Sequence, residues 1–149
     1  MARHILICLP ALLCLAACST LDPLDAIGLG ATPYERQAAA LRAYESGLDA
    51  QAEALYLGLI RMAPNDPEHL LRLGNLYARS GRPDRAADSY LQALLLNPGD
   101  ERLWFNLGMI RQRQAHAAFI EAHARLPQSD ARRTRVEALA ACLAPPAND

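Results

Sequence analysis

Aromatic and β-branched residues are few in this sequence, and neither sign of charge is in excess. Aromatic residues make up 5% of the 149 residues, whereas Ala, Leu, Arg, Gln and Glu abound, and these residues favour helices over strands. Lysine and arginine together number 15, against 16 aspartate and glutamate residues, so no net positive field attracts nucleic acid. The composition favours an all-helical fold and argues against a β-sandwich, a charge-driven nucleic-acid binder or a polytopic membrane protein.

Residue patterns that support catalysis or metal binding are also missing. His116 and His123 are seven residues apart, which on a helix separates them by about 10.5 Å along one face. That distance is too long for one shared metal ion, since Zn–N bonds measure about 2.0–2.1 Å. The sequence has neither a phosphate-binding glycine loop nor a nucleophile elbow. We therefore predict that the protein is not an enzyme and that it binds no cofactor and no metal.

The first seventeen residues have the features of an export signal. Arg3 and His4 precede an uncharged run of thirteen residues that ends at Ala17. A basic start, a short apolar run and a small-residue exit characterise such signals. Thirteen helical residues reach about 20 Å, less than the roughly 30 Å of a bilayer's hydrocarbon core. We expect residues 1–17 to be a signal peptide rather than a permanent membrane span.

The signal ends in the residues Leu15-Ala16-Ala17-Cys18. This ending resembles the lipobox of bacterial lipoproteins. The resemblance implies cleavage before Cys18, a thioether bond from its sulfur to diacylglycerol, and acylation of the new amino group. In that family an aspartate after the cysteine favours retention in the inner membrane, so Ser19 favours anchoring to the outer membrane, on its periplasmic side. An ordinary export signal followed by an incidental cysteine is the alternative interpretation.

Residues 18–32 contain the lipidated cysteine and a segment with one proline, two glycines and no helical apolar stripe. We interpret this segment as a tether between the lipid and the domain; packing of its apolar residues on the domain is the alternative. If the signal is cleaved and Cys18 is lipidated, as the resemblance implies, Cys8 and Cys14 are lost and Cys142 alone stays a thiol. No internal disulfide is therefore expected.

A repeat of 34 residues runs through the middle of the chain. Nine pairs of residues at this offset match in identity or class. They are Gly47 and Gly81, Ala52 and Ala86, Tyr56 and Tyr90, Pro64 and Pro98, Asp66 and Asp100, Leu70 and Trp104, Leu71 and Phe105, Leu73 and Leu107, and Gly74 and Gly108. Several of these residues are rare types, so chance is a poor explanation. A fixed period of this length is typical of helical repeat arrays.

These residues resemble the tetratricopeptide repeat, a helical hairpin 34 residues long. The best copy carries the signature residues Leu70, Leu73, Gly74, Tyr77, Ala86, Tyr90, Ala93 and Pro98. The resemblance implies an all-α fold: a short right-handed α-solenoid of about three hairpins over residues 33–128. The repeats fall at about residues 33–66, 67–100 and 101–128.

Local sequence signals fit this division into helices. Thr32 and Glu35 form a predicted capping box at the start of the first helix, and Asp66 and Asp100 are predicted N-caps. Gly81 falls in the turn between two helices, where a positive φ costs glycine little.

The third repeat departs from the pattern. Its second-helix residues match those of the second repeat at an offset of 29 instead of 34, namely Ala115, Phe119, Ala122 and Pro127. The residues for a turn are therefore missing. Either the helices meet in a cramped turn near residues 113–115, or residues 101–126 form one helix. Because no Gly, Pro or Asn lies between Gly108 and Pro127, the continuous helix is favoured.

A last helix is predicted over residues 130–143, with Ser129 as its N-cap. One face of it is apolar and consists of Val136, Leu139, Ala140 and Leu143. The segment 129–143 resembles the capping helix that covers the open end of a solenoid, and residues 144–149 are predicted to be a frayed tail. A basic membrane-facing helix, formed around three nearby arginines, is the alternative.

The first helices of tetratricopeptide arrays line a concave groove, which the resemblance makes the candidate peptide-binding site. Its predicted residues are Arg72, Asn75, Arg79, Phe105, Asn106, Met109 and Arg113, extended from the first repeat by Tyr34, Leu41 and Tyr44. Asn75 and Asn106 match the family's groove asparagines, whose amides can both donate to and accept from a peptide backbone. The arginines can bind carboxylates through paired hydrogen bonds.

Two features of the groove leave its use open. Leu71 stands where carboxylate-clamp members of the family have lysine, which argues against a dedicated receptor for C-terminal carboxylates. Ordinary surface residues without a ligand are the alternative to a binding site.

The anchor and the fold together suggest a lipid-anchored protein–protein interaction module in the bacterial cell envelope. The expected partner is another envelope protein that presents an extended peptide segment, and the expected membrane contact is the lipid anchor. Proteins of this build are similar to factors that assemble pili and secretion complexes. A peptidoglycan-associated or enzyme-regulating lipoprotein is the alternative.

Overall fold

The computed structural model describes residues 31–145. The signal segment 1–17, Cys18, the tether up to residue 30 and the last four residues lie outside this described part. Residues 31–145 contain α-helices and no strand, which confirms the all-α fold class. The helices are α1 (Pro33–Glu45), α2 (Asp49–Met62), α3 (Pro67–Arg79), α4 (Pro83–Leu96), α5 (Glu101–Arg125) and α6 (Arg133–Leu143).

The helices form a short α-solenoid in which each one packs against its neighbours in the chain. α1 pairs with α2 and α3 pairs with α4, while α2 contacts α3 and α4 contacts α5. Both hairpins turn at a glycine in the left-handed region, with φ 70° at Gly47 and 69° at Gly81. After Gly81 the Arg82 N–H donates to the Tyr77 carbonyl at 2.9 Å, and the equivalent bond closes the first hairpin. These bonds satisfy helix-end carbonyls that otherwise lack partners.

The predicted starts of α1, α3 and α5 are confirmed. Thr32 Oγ1 accepts the Glu35 N–H at 3.2 Å, and the Glu35 carboxylate accepts the Thr32 N–H at 2.7 Å, which completes the capping box. Asp66 and Asp100 each accept the N–H of the residue two positions later, at 2.9 Å. Each cap accepts a hydrogen bond from a backbone N–H that has no partner within the helix itself.

Small residues lie where the helices approach each other. Four alanines, each with 0% exposure, belong to the core: Ala40, Ala52, Ala86 and Ala93. The ring of Tyr90 lies against Gly74, where a Cβ would come within 2.7 Å of Tyr90 Cδ1. No side chain fits at that separation, so α3 and α4 can pack this closely because residue 74 is glycine.

The third repeat is not a hairpin of the same kind. α5 continues as one helix from Glu101 to Arg125, without a turn near residues 113–115. Its first half buries Leu103, Leu107 and Ile110, and its second half packs against α6. The lack of helix-breaking residues therefore outweighs the repeat pattern in this part of the chain.

The last helix begins later than the sequence predicts. α6 starts at Arg133 with Arg132 at the N-cap position, so the prediction of a helix from residue 130 capped by Ser129 is wrong. Asp130 instead holds a turn, because its Oδ1 accepts the Arg132 N–H at 2.9 Å and its Oδ2 contacts Arg132 Nη2 at 2.8 Å. These hydrogen bonds lower the pKa of Asp130 to about 2.

α6 lies along the second half of α5. Gln112 Nε2 donates to the Leu143 carbonyl at 3.3 Å, while Arg133 Nη1 donates to the carbonyls of His123 and Leu126 at 3.0 and 2.9 Å. These bonds place the start of α6 beside the end of α5. The hydrogen bonds between α6 and α5 begin at Gln112.

Candidate functional site

The candidate groove is formed by α3 and α5, with Tyr44 of α1 at one side. Two adjoining hollows of about 590 and 460 Å³ follow it. Asn75, Phe105 and Asn106 line both hollows, so they form the floor between them. The structure thus brings the predicted groove residues of two adjacent repeats together on one surface.

Asn75 is at the centre of a hydrogen-bond network on this floor. Its Oδ1 accepts the Tyr90 hydroxyl at 2.8 Å and the Asn106 amide at 3.0 Å. Its Nδ2 donates to the Tyr44 hydroxyl at 3.3 Å. Tyr90 is 2% exposed, and burial raises its pKa to about 12, so its hydroxyl stays a donor at neutral pH. Asn75 therefore joins side chains from α1, α4 and α5.

Asn106 has more freedom than Asn75. It is half-buried and donates to Asn75, which uses one of the two hydrogens of its amide. Within residues 31–145 its amide oxygen accepts no side-chain hydrogen bond. Asn106 is therefore the groove asparagine that can bind a peptide backbone without giving up an internal partner.

Two of the three groove arginines are already paired. Arg72 Nε contacts Glu68 Oε1 at 2.9 Å, and Arg79 forms an ion pair with Asp49. Both guanidinium groups also lie over the ring of Tyr44, at 5.1 Å for Arg72 and 4.4 Å for Arg79. Such cation–π contacts hold both arginines against α1. The sequence prediction that these two bind ligand carboxylates therefore competes with contacts inside the protein.

Arg113 is different from the other groove arginines. It is exposed, lines the second hollow, and has no carboxylate within 4.0 Å among residues 31–145. Phe105 is 69% exposed, and Met109 is half-buried beside the same hollow. A basic group next to an exposed ring and a thioether suits a segment that carries both acidic and apolar side chains.

The remaining predicted groove residues lie outside this centre. Tyr34 is 80% exposed and Leu41 is 36% exposed, and neither lines the two hollows. Tyr44 is the first-repeat residue that reaches the groove. The buried Leu71 contributes to the floor of the first hollow.

Sequence reasoning missed the ion pairs that border the first hollow. Arg102 Nη2 contacts Glu68 Oε2 at 3.1 Å and Asp100 Oδ2 at 2.8 Å, so this end of the groove carries charges of both signs. Glu68 also forms an ion pair with Arg72, and the i, i+4 spacing of these two residues could have indicated that pair. Glu68 and Arg102 are 34 residues apart, so the repeat period relates these two residues as well.

Two further properties of the described residues concern metal binding and membrane crossing. Within residues 31–145, no group of three or more His, Cys, Asp or Glu residues is placed to hold a metal ion. In the same range, no helix has the length and apolar character needed to cross a membrane.

Solved structures with this fold include proteins that act as chaperones. The type III secretion translocator chaperone SycD of Yersinia enterocolitica superimposes with a TM-score of 0.52 at 20% identity, covering 74% of this chain and 81% of SycD. Its complex with a peptide of the translocator YopD also gives 0.52, at 18% identity, covering 80% and 92%. The Sgt2 TPR domain of Aspergillus fumigatus gives 0.52 at 24% identity, covering 78% and 87%. These similarities show the fold.

Sequence relatives are much longer than this chain. Human protein O-mannosyl-transferase TMTC3 is 34% identical over 77 residues, which is 52% of this chain and 8% of the relative. Protein adenylyltransferase Fic of Drosophila willistoni is 34% identical over 97 residues, which is 64% of this chain and 19% of the relative. The tetratricopeptide repeat model matches residues 37–101 and 71–133. Because the two matches of this family model together span more than half of the chain, the chain belongs to the tetratricopeptide repeat family.

Proposed function

We propose that this protein is a tetratricopeptide adaptor whose groove between α3 and α5 binds an extended segment of another protein. The observation that carries the proposal is the floor formed by Asn75, Phe105 and Asn106, shared by two open hollows. The peptide-bound structure of SycD supports it, since that protein of the same fold binds a peptide of its translocator.

The groove chemistry favours a segment with apolar and acidic side chains. Phe105 offers an exposed ring, and burying apolar area against it contributes about 25 cal/mol per Å². Asn106 can hydrogen-bond the backbone of the segment. Arg113 can pair with a carboxylate, and because it is exposed its contribution decreases with added salt.

We further propose that the module works in the bacterial cell envelope, anchored to the outer membrane through Cys18. The residues Leu15-Ala16-Ala17-Cys18 and Ser19 support this location by their resemblance to the lipoprotein pattern. The bound segment then belongs to another envelope protein, and a pilus or secretion complex is the class of assembly that we propose it serves. In this function the protein positions its partner and carries out no reaction.

A comparison of matched variants tests the groove. Envelope proteins are recovered on the immobilised full chain, on Phe105→Ala, on Arg113→Glu and on the control Arg135→Glu. The control makes the same charge change at an exposed residue of α6. We expect the two groove variants to bind the partner about tenfold more weakly, which corresponds to roughly 1.4 kcal/mol, with the control unchanged.

Salt and folding complete the test. Wild-type binding should weaken as salt increases, and that dependence should be reduced in Arg113→Glu. All variants should melt at the same temperature, because exposed substitutions change stability by about 0.5 kcal/mol or less. Equal recovery of every bound protein by wild type and both groove variants would refute the proposal.

A further inference from the structure

One exposed stripe of α5 faces away from Asn106 along most of its length, and its first residue, Glu101, also lines the first hollow of the groove. It consists of Glu101, Trp104, Gly108 and Arg111, all exposed, at spacings of three, four and three residues. These spacings place the four residues on one helical face. We call this face the α5 stripe. Trp104 is 56% exposed, although its indole N–H donates to the Pro98 carbonyl at 2.9 Å.

The second repeat shows what normally covers this face. Leu70, Gly74 and Tyr77 of α3 lie 34 residues before Trp104, Gly108 and Arg111. All three are buried, with Leu70 4% and Tyr77 7% exposed. The ring of Tyr90, from the second helix of the hairpin, fills the space against Gly74.

The third repeat lacks this cover. α5 runs straight on to Arg125 instead of turning back, and α6 lies beside the part of α5 that begins at Gln112. Apart from Gly108 itself, its two chain neighbours and the backbone of its own helix, no heavy atom among residues 31–145 lies within 4 Å of the place where a Cβ on Gly108 would be. The gap that accepts an aromatic ring at Gly74 is therefore open at Gly108, one helical turn from an exposed tryptophan.

We propose that the α5 stripe binds the α5 stripe of a second copy of this chain, with the two helices antiparallel. A two-fold axis at the level of residue 106 brings Trp104 of each copy to the open space at Gly108 of the other. The same axis brings Glu101 opposite Arg111, so both charges meet an opposite charge. One two-fold rotation therefore fills the open space at each Gly108 and pairs each charge of the stripe with an opposite charge.

The composition of the stripe supports this occupant over an unrelated helix. An unrelated helix would only have to place a large side chain of its own in the space at Gly108. It would not require a large side chain on this chain one turn away from Gly108. Here Trp104 lies about 6 Å along the axis from Gly108, which is the spacing that a self-complementary pair requires. Glu101 and Arg111 form no ion pair within the described residues. Arg111 Nη1 donates to Gln114 Oε1 at 3.0 Å, which leaves the other guanidinium donors for Glu101 of the second copy. The indole N–H of Trp104 is already bonded, which leaves an apolar ring to be buried.

Sedimentation of the full chain in detergent micelles tests the proposal. We expect wild type to shift from monomer to dimer over about 1 µM to 1 mM, the range of weak protein association. Gly108→Leu should stay monomeric, because it fills the space that the tryptophan of the second copy enters. Its helix content should not fall, since Gly108 has open space within its own chain.

Charge exchange provides the decisive control. Glu101→Arg and Arg111→Glu should each weaken the dimer about tenfold, because each places two like-charged pairs opposite each other across the interface. The double variant restores opposite charges and should recover wild-type association. Arg135→Glu, on α6, should leave it unchanged.

Three results would overturn the proposal. Wild type that stays monomeric over the whole range would exclude self-association. Association that Gly108→Leu leaves intact would place the interface elsewhere. A double charge variant that is weaker than either single variant would exclude the antiparallel arrangement and leave the stripe to a different helix.

Discussion

Tyr90 connects the packing of the second repeat to the floor of the groove. Its ring fills the space against Gly74, and its hydroxyl donates to Asn75 Oδ1 at 2.8 Å. The ring and the hydroxyl act on the same helix, α3. A change at either contact therefore affects stability and the position of Asn75 together.

The first prediction concerns Gly74. Gly74→Leu should lower the free energy of unfolding by about 1–3 kcal/mol or more, because a side chain there overlaps the ring of Tyr90. Gly108→Leu, measured in dilute solution, is the matched control, and it should be neutral or slightly stabilising because leucine favours helix over glycine. Thermal unfolding measures both variants. A Gly74→Leu curve that coincides with wild type would show that α3 and α4 do not meet at residue 74.

The second prediction separates the two groove asparagines. Asn75→Ala should lower stability by about 1–3 kcal/mol, because the buried Tyr90 hydroxyl loses its acceptor. Asn106→Ala should change stability by only about 0.5 kcal/mol, because Asn75 keeps its bond to Tyr90. Urea unfolding checks both values. An equal loss of stability in the two variants would contradict this network. From the sequence alone, the two asparagines are equivalent groove residues.

That difference shows what the sequence can and cannot predict at the scale of residues. Asn75 and Asn106 were identified as groove residues from their place in the repeat. Their mutual hydrogen bond and the burial of Tyr90 depend on the distance between helices, which residue types do not determine. For the same reason the sequence assigned carboxylate binding to Arg72 and Arg79, whereas both contact Tyr44.

At the scale of elements, α5 is where two sequence signals disagree. The match of Phe119 to Tyr90 indicates a second helix, whereas the lack of helix-breaking residues indicates continuity. The structure follows the second signal, because five missing residues leave no length for a turn. α6 then takes a position beside α5 that a repeat pattern ending at residue 128 could not predict. The helices before α5 are well predicted because each one ends at a glycine turn or just before a proline, and α1 and α3 also begin at a side-chain cap.

The third prediction tests the continuity of α5. Ala115→Pro should lower the free energy of unfolding by about 3 kcal/mol or more, since it removes a backbone hydrogen bond inside the helix. Glu101→Pro is the control, because proline already occupies the first helical position of α1, α3 and α4 and is tolerated there. Circular dichroism and urea unfolding measure helix content and stability. Wild-type stability in Ala115→Pro would indicate a turn near residue 115.

At the scale of the whole molecule, the fold follows from periodicity because a repeat array is built from contacts between neighbours in sequence. The 34-residue offset therefore predicts which helices touch. Contacts that cross from one repeat to the next were not predicted individually. Arg79 with Asp49 and Arg102 with Glu68 are examples. These pairs decide which groove charges are available to a partner, so the site is less predictable than the fold.

The last prediction concerns the anchor that we propose at Cys18. Cys18→Ala should abolish incorporation of labelled fatty acid and release the protein from membranes, because no thiol remains at residue 18 to carry the lipid. Each buried CH₂ of an acyl chain contributes about 0.8 kcal/mol to membrane binding. Several acyl chains therefore hold a protein in the membrane, whereas one short apolar segment does not. Cys142→Ala is the matched control: its thiol is exposed on α6, and its loss should leave labelling unchanged.

Membrane fractions washed with high salt provide the second measurement. The wash removes proteins held by charge and leaves those held by buried acyl chains. We expect wild type and Cys142→Ala in the outer-membrane pellet and Cys18→Ala in the supernatant. If Cys18→Ala stays in the pellet and wild type takes up no fatty acid, then Cys18 is an incidental cysteine after an ordinary export signal. The groove and the α5 stripe would be unaffected by that result, because both lie within residues 31–145.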